Sequence, residues 1–361
     1  VQPATTPSRR SQASLSPEKE FYLRHFRHRS ILFHVSDASD SARVRAVMDE
    51  LAANETLTVA VVPAAVGRGQ ATVPLRSSEL SRIGSGLVEL SARLLRGGSV
   101  WVEPAGATSM MLKFSVKLAL RLGTPKLVVV DGRGGLREGD AVQSFVKLSA
   151  LAKACGRGDA LSGWTATEFR LLRRAIRDGV ESVNLTSGVG LAAELFSYAG
   201  SGTLITAGDY ATVEPLRVDD FPPALELLRR GEQEGFLLRR TARARARLLL
   251  NAYGAWFEGR RLAGIAGLEM DQYRPWKLGE VVGLYTITRF QGEGVGVRIL
   301  AELANVARAS GCRAIFACTS ERRAATFFER NGFVRVAPDL VPEVKWRGRP
   351  GARPTVFWCD L

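Results

Sequence analysis

Sulfur and imidazole are scarce in this chain, with four cysteines (Cys155, Cys312, Cys318, Cys359) and three histidines (His25, His28, His34) among 361 residues. No C-x-x-C pair and no His-rich ligand spacing is present, which argues against structural zinc and against a disulfide framework, and fits a reducing compartment. No metal site is expected. Long apolar runs are also missing: nothing approaches the roughly 18 residues of a membrane span, and residues 1–17 lack the apolar stretch of a secretory signal. That tail carries Arg9 and Arg10 and no acid before Glu18, yet shows no amphipathic Arg period, so it reads as a flexible tail on a cytoplasmic protein and not as a transit peptide.

Lysine is the next shortage. Of 50 basic side chains only eight are Lys, and against 36 acids they leave a net charge of +14. Heavy Arg use with abundant Ala, Gly and Val is also what a GC-rich genome produces, so the charge fits anionic small ligands as well as nucleic acid. The run Arg239–Arg247 has Arg at 243, 245 and 247, a spacing of two that lines no single helical face. With no nucleic-acid reading motif beside it, nucleic acid is not the expected partner. A hydrophobic fraction of 46% with 24% charged residues excludes global disorder.

The hydrophobic pattern alternates strand and helix through the first half. A short helix around Glu18–Arg29 leads to a strand at Ser30–Val35, then helix 40–53, strand Leu57–Pro63, helix 78–95, strand Ser99–Val102, helix 108–122 and strand Lys126–Asp131. The Val-Val-Val of the last suits a parallel strand buried on both faces. A helix near 165–178, Ser182–Leu185, a helix 188–198 and the strand Thr203–Ala207 complete a parallel α/β domain over 18–208. The grammar then changes. Residues 212–361 read as strand 212–217, helix 221–235, helix or loop 239–251, strands at 253–258, 262–270 and 279–288, helix 296–310, strand 314–318, helix 321–331 and a further strand after Gly332–Phe333, an α+β unit.

Gln291–Gly292–Glu293–Gly294–Val295–Gly296 follows a strand and opens a helix, where unpaired backbone N–H groups and the helix dipole attract an anion. Alone, it reads equally as a tight strand–helix turn. It is not a Rossmann fingerprint in the usual place, and it lacks the Gly-Lys-Ser/Thr of a P-loop. Followed by an amphipathic helix, a strand and Ala325–Thr326–Phe327–Phe328–Glu329–Arg330–Asn331–Gly332–Phe333, it resembles the GNAT acetyltransferases. Within that superfamily Phe236–Thr241, the strand at Glu280, Arg313–Thr319 and Leu340–Trp346 are similar to the N-acetylglutamate synthase family. Phe21–Tyr22–Leu23, Lys117–Leu118–Ala119, Pro125–Lys126–Leu127 and Glu194–Leu195–Phe196 before Gly200–Ser201–Gly202–Thr203 extend the resemblance to its amino-acid-kinase-like first domain.

The resemblance implies transfer of the acetyl group of acetyl-CoA to L-glutamate, an early step of arginine biosynthesis, in a homo-oligomer with possible control by L-arginine. It places the diphosphate on Gln291, Gly292, Gly294, Val295, Gly296 and Val297, the thioester against Leu284 and Thr286, and the catalytic glutamate at Glu280. A carboxylate base suits the chemistry too, since every histidine lies in the first domain and only a neighbouring subunit would bring one close. The thiol-proton donor expected of many GNAT enzymes is a Tyr at the position of Phe328, which has no proton to give; Thr319, with Ser320 as fallback, takes that role, the alternative being helix capping. The same resemblance gives the substrate carboxylates to Arg239, Arg240, Lys345 and Arg353, cations suited to charge-assisted hydrogen bonds. Tyr22, Glu194 and Gly202 match the arginine effector site, with a retained assembly scaffold as the alternative. Kinase activity is not expected: His34–Val35–Ser36–Asp37 and Pro63–Ala64–Ala65–Val66–Gly67 replace the Lys-x-Gly-Gly and Gly-rich loops that neutralise ATP phosphates. Another amine acceptor, or a sensor that binds acyl-CoA or arginine without turnover, stays open.

Overall fold

In the computed structural model, which describes residues 16–63, 72–105, 111–151, 162–207, 211–257, 261–291, 294–347 and 353–361, the chain builds two large sheets in sequence. The N-terminal tail to residue 15, Ala64–Gly67, Cys155 and Gly292 lie outside the described residues.

The first sheet takes its strands from β1 (Ser30–Val35), β2 (Leu57–Val61), β3 (Thr72–Arg76), β4 (Ser99–Ala105), β5 (Lys126–Val130), β8 (Phe145–Lys147), β9 (Ser182–Thr186) and β10 (Thr203–Thr206). Their spatial order is β3-β4-β2-β1-β5-β9-β10-β8. The pairs from β3 to β9 are parallel, and every residue of β5 and β9 is buried, as expected where helices cover both faces. The expectation of an all-parallel sheet fails at β10, which runs antiparallel to β9 and parallel to β8. Apolar runs of four or five look the same in either direction, and the short connection 187–202 is what reverses the chain. β6 (Arg137–Glu138) and β7 (Ala141–Val142) form a separate small ribbon. The expected helix 78–95 is also shorter: Ser77–Leu80 is a 3₁₀ turn and the α-helix spans Ser85–Leu95, started by Gly84 at its N-cap. Likewise the helix expected over 188–198 is Leu191–Phe196.

The second sheet has the order β11-β12-β13-β14-β15-β17-β16, built from β11 (Thr212–Pro215), β12 (Ala252–Phe257), β13 (Arg261–Glu269), β14 (Leu278–Thr286), β15 (Ala314–Thr319), β16 (Val334–Val336) and β17 (Thr355–Asp360). Only β14 and β15 are parallel neighbours, joined through the helix Val295–Ala309. The segment left open as helix or loop is a helix at Ala242–Leu250, capped by the Thr241 hydroxyl. Its arginines are partly spoken for: Arg245 pairs with Glu232, and Arg243 is exposed.

One hydrophobic core runs through both sheets. It includes Phe21, Tyr22 and Phe33 from the first half and Ile265, Tyr285 and Phe357 from the second. At the junction Phe145 meets Phe257 and Phe290 edge-on at 5.8 and 5.3 Å, and the latter two stack at 4.8 Å. No helix among the described residues is long and apolar enough to cross a membrane.

Candidate active site

β14 and β15 pair over only three positions, Leu278 with Ala314, Gly279 with Ile315 and Glu280 with Phe316. Beyond Glu280, β14 continues along β13 to Thr286, and β15 continues along β17 to Thr319. The two strands part at Glu280, leaving a wedge with that carboxylate at its apex.

A bulge shapes one wall of the wedge. Gly283 and Leu284 together stand opposite Ala266, where the pairing with β13 shifts by one residue. Gly283 adopts φ +64, which favours glycine, and a Cβ there would sit 2.7 Å from Leu248 Cδ1. Leu284 and Thr286 remain half-buried between the buried Gly283, Tyr285 and Ile287. At the end of the wall the Gln291 side-chain amide donates to the Thr286 carbonyl at 3.1 Å.

The mouth is closed by the start of the helix Val295–Ala309. Gly294 is its N-cap in the left-handed region, φ +78, and supplies no side-chain cap, so the first N–H groups of the helix have no intrahelical acceptor. Gly296 faces Phe327 of the helix Arg322–Arg330; a Cβ at 296 would come within 3.2 Å of that ring. Val297 is exposed and Val295 buried. Gly294 and Gly296 thus present bare backbone, as anion binding requires. Phe327 is a part of this site that the sequence reading missed.

Glu280 is 3% exposed. Its Oε2 accepts from the Tyr273 hydroxyl at 2.6 Å, and its Oε1 pairs with Lys345 Nζ, itself 6% exposed. Burial and the neighbouring Glu280 carboxylate push the Tyr273 hydroxyl pKa well up, so it stays a neutral donor. Lys345, expected to hold substrate, is therefore the counter-ion of the expected base. Tyr273 lies in the irregular 3₁₀ stretch Asp271–Trp276, and nothing in its sequence setting marks it.

Thr319 ends β15 half-buried, and its Oγ1 accepts the Glu321 N–H at 3.0 Å. The helix cap is Glu321, whose carboxylate takes the Ala324 N–H at 2.6 Å; neither Thr319 nor the exposed Ser320 caps it. Phe328 is core, stacked on Phe357 at 5.8 Å. Of the remaining expected substrate cations, Arg353 pairs with Glu343 at 2.9 Å and lies over the Trp346 ring, Arg240 donates to the Leu238 carbonyl, and Arg239 is exposed. The structure does not gather these four around one point. Cys312 and Cys318 are half-buried and pack against the core.

In the first domain, Glu194 and Gly202 come together: the Ser201 and Gly202 N–H groups donate to Glu194 Oε2 at 2.9 and 2.7 Å. Tyr22 stands one ring away, 5.9 Å from Tyr198. Glu194 faces a guanidinium, that of the chain's own Arg289. Where an active kinase would keep its phosphate loop, His34 is sealed between Ser115 and Ser36 at 2.9 and 3.3 Å, and burial lowers its pKa to about 4. Arg133 nearby is tied to Asp131 and Glu168 and stacks on Trp164. No cluster of metal-ligating side chains occurs among the described residues.

The model of the Acetyltransferase (GNAT) family matches residues 212–333. The amino-acid acetyltransferase of Neisseria meningitidis serogroup A is 26% identical over 266 residues, covering 71% of this chain and 59% of that protein. That of Escherichia coli K12 is 28% identical over 241 residues, 64% of this chain and 53% of that protein. The chain therefore spans little more than half the length of these curated relatives. The crystal structure of N-acetylglutamate synthase from Neisseria gonorrhoeae, complexed with coenzyme A and L-arginine, is similar with a TM-score of 0.60 at 17% identity, covering 95% of this chain and 98% of that one. This chain has the two-domain fold of an N-acetylglutamate synthase, an amino-acid-kinase-like domain joined to a GNAT acetyltransferase domain.

Proposed function

We propose that the chain transfers the acetyl group of acetyl-CoA directly to the α-amino group of L-glutamate, with 212–361 as the transferase domain and 18–208 as a kinase-like domain without phosphoryl transfer. The observation that carries this reading is the wedge that opens where β14 and β15 part, with a buried carboxylate at its apex and bare helix N–H groups at its mouth. Gly294 to Val297 hold the diphosphate, and the bulged edge of β14 at Leu284 aligns the thioester. Glu280, held by Tyr273 and Lys345, takes a proton from the amine through water. The nitrogen then forms its bond to the acetyl carbon and releases its second proton to water, the carbon–sulfur bond breaks, and the thiolate takes the Thr319 hydroxyl proton, which water replaces. No covalent acyl-enzyme is required. The sealed His34 and the Arg133–Asp131 pair support the absence of kinase chemistry, since neither offers free positive charge to ATP phosphates. No disulfide joins the three described cysteines, which supports a cytoplasmic location.

A second reading, a different amine acceptor on the same machinery, is favoured by one observation: Lys345 and Arg353 have internal carboxylate partners, so the clamp for a dicarboxylate is incomplete. Acetyl-CoA consumption measured with each of the twenty amino acids separates the two. L-Glutamate should be the best acceptor, and Glu280→Gln should lower kcat by about 10²- to 10⁴-fold while CoA binding holds, with a lowered melting temperature because the buried Lys345 ammonium loses its partner. Absence of acetylation of any amine, or full turnover by Glu280→Gln, would sink the proposal.

A further inference from the structure

Arg289 lies on the 3₁₀ turn Thr288–Phe290 that joins β14 to the Gly-rich turn, yet its side chain ends inside the N-terminal domain, where neither it nor its partner Glu194 is exposed to solvent. Nη2 pairs with Glu194 Oε2, Nε donates to the Ala199 carbonyl at 3.3 Å, and the backbone N–H donates to the Tyr198 carbonyl at 3.2 Å. Gly200, at φ +67, forms the floor; a Cβ there would overlap Nη2. Glu194 is held in place before any arginine arrives. Its Oε2 receives the Ser201 and Gly202 N–H groups, its Oε1 receives Asn184 Nδ2, and Asn184 Oδ1 in turn receives Lys126 Nζ at 2.7 Å. Every one of these groups belongs to residues 126–202, so the site is complete within the N-terminal domain and only its cation comes from elsewhere. A preformed carboxylate, a carbonyl and a bare glycine surface match the planar fork of a guanidinium and not the compact ammonium of a lysine.

We infer that the N-terminal domain is a guanidinium receptor whose ligand is built into this chain: Arg289 occupies the socket in cis and, as a positioning residue, pins the turn that receives the cofactor's diphosphate. Gln291, whose amide braces Thr286, is two positions beyond Arg289, and Val295, the first helical residue, is six positions beyond it, so the anchor sets where the turn begins. Free guanidino compounds are excluded from the wild-type socket because it is already filled. The pinning bears on acetyl-CoA only if the turn binds it, as proposed above; the socket does not depend on that reading.

The test compares wild type, Arg289→Ala and Arg289→Lys by thermal melting and by calorimetric titration with CoA, each with and without L-arginine or ethylguanidinium at millimolar concentration, with methylammonium as control. Neither guanidino compound should move wild type. Arg289→Ala should bind CoA roughly tenfold more weakly, with the loss in KM for acetyl-CoA and not in kcat. Ethylguanidinium should raise its melting temperature and restore most of that affinity, methylammonium should do neither, and Arg289→Lys should recover only part. Gly200→Ala obstructs the socket from its other side and should weaken CoA in the same direction; it carries the test if Arg289→Ala does not fold. Stabilisation of wild type by L-arginine that disappears in Glu194→Gln, or CoA affinity equal in wild type, Arg289→Ala and Gly200→Ala, overturns the inference. If CoA fails to bind wild type at all, the acetyl-CoA reading fails instead, and the socket stands or falls on the ethylguanidinium shift of Arg289→Ala.

Discussion

Thr319 uses its hydroxyl oxygen to accept the Glu321 N–H, and that leaves the hydroxyl hydrogen free to be given away. Accepting that turn hydrogen bond and donating a proton are therefore compatible in one side chain, and substitution separates them. Thr319→Val removes both and should cost about 1 kcal/mol of stability, as loss of one side-chain hydrogen bond does, together with roughly tenfold or more in kcat, as loss of a general acid does. Thr319→Ser should keep wild-type values of both. A lowered melting temperature with unchanged kcat would assign the residue to structure alone. Glu280 shows how residue type and spacing reach their limit. Its place at the head of a strand before the Gly-rich turn was legible, because strand and turn are local. Its partner Lys345 lies 65 positions away and Tyr273 in an aperiodic turn, so the ion pair that buries the carboxylate follows only from how the tail folds over the sheet. Lys345 looks like a substrate ligand in the sequence because a lysine in a basic segment looks solvated until its burial is known.

At the scale of elements, the bulge in β14 does what a regular strand would not: it inserts one residue where β15 departs and turns the backbone at Leu284. Gly283 is required twice over, by its positive φ and by Leu248 and Leu228 packed against it. Gly283→Val should cost at least about 2 kcal/mol, from left-handed strain of roughly 1–2 kcal/mol plus overpacking. It should also raise KM for acetyl-CoA, measured by initial rates beside thermal melts, and Gly283→Ala should do less of both. An unchanged KM in a folded Gly283→Val would show that the bulge does not shape the cofactor wall. Strand positions were largely readable from apolar runs, including β5 and β9. Strand direction was not, as β10 shows, because hydrophobic period carries no sign. β3, β8 and β17 escaped because their apolar runs are short or, as in Thr72–Arg76, interrupted by a proline.

For the whole molecule, the core shared between the two sheets and the buried Arg289–Glu194 pair make the halves one cooperative unit. Nη1 of Arg289 has no hydrogen-bond acceptor among the described residues, so the Glu194 contact offsets most of the desolvation; removing either partner leaves a buried charge, typically a loss of about 3–5 kcal/mol. His34 governs the response to acid. Burial lowers its folded pKa to about 4 from 6.5, so below neutrality the unfolded chain takes up a proton that the folded chain refuses. Stability is therefore full above the unfolded value and falls as pH drops toward the folded one, by about 2 kcal/mol between pH 7.5 and 5. Asp131, where burial is outweighed by hydrogen bonds from Arg133 and the pKa is held down to about 2, loses its contribution only in more acidic solution. Calorimetry across that pH range should show a single transition whose midpoint falls with acid, and a much shallower fall in His34→Gln. Two separate transitions, or equal slopes in both proteins, would contradict this account.

Local order was determined by the amino-acid sequence alone: which of the longer apolar runs are strands, where the Gly-rich turn opens a helix, which glutamate precedes it, and that no Lys-x-Gly-Gly follows the first strand. These depend on neighbours a few positions apart, where propensity, period and glycine placement act directly. Only the tertiary structure decided which charges meet. Glu280 with Lys345 and Glu194 with Arg289 are separated by 65 and 95 positions, and an ion pair across such distances exists because two sheets pack through a common core, not because either residue announces its partner.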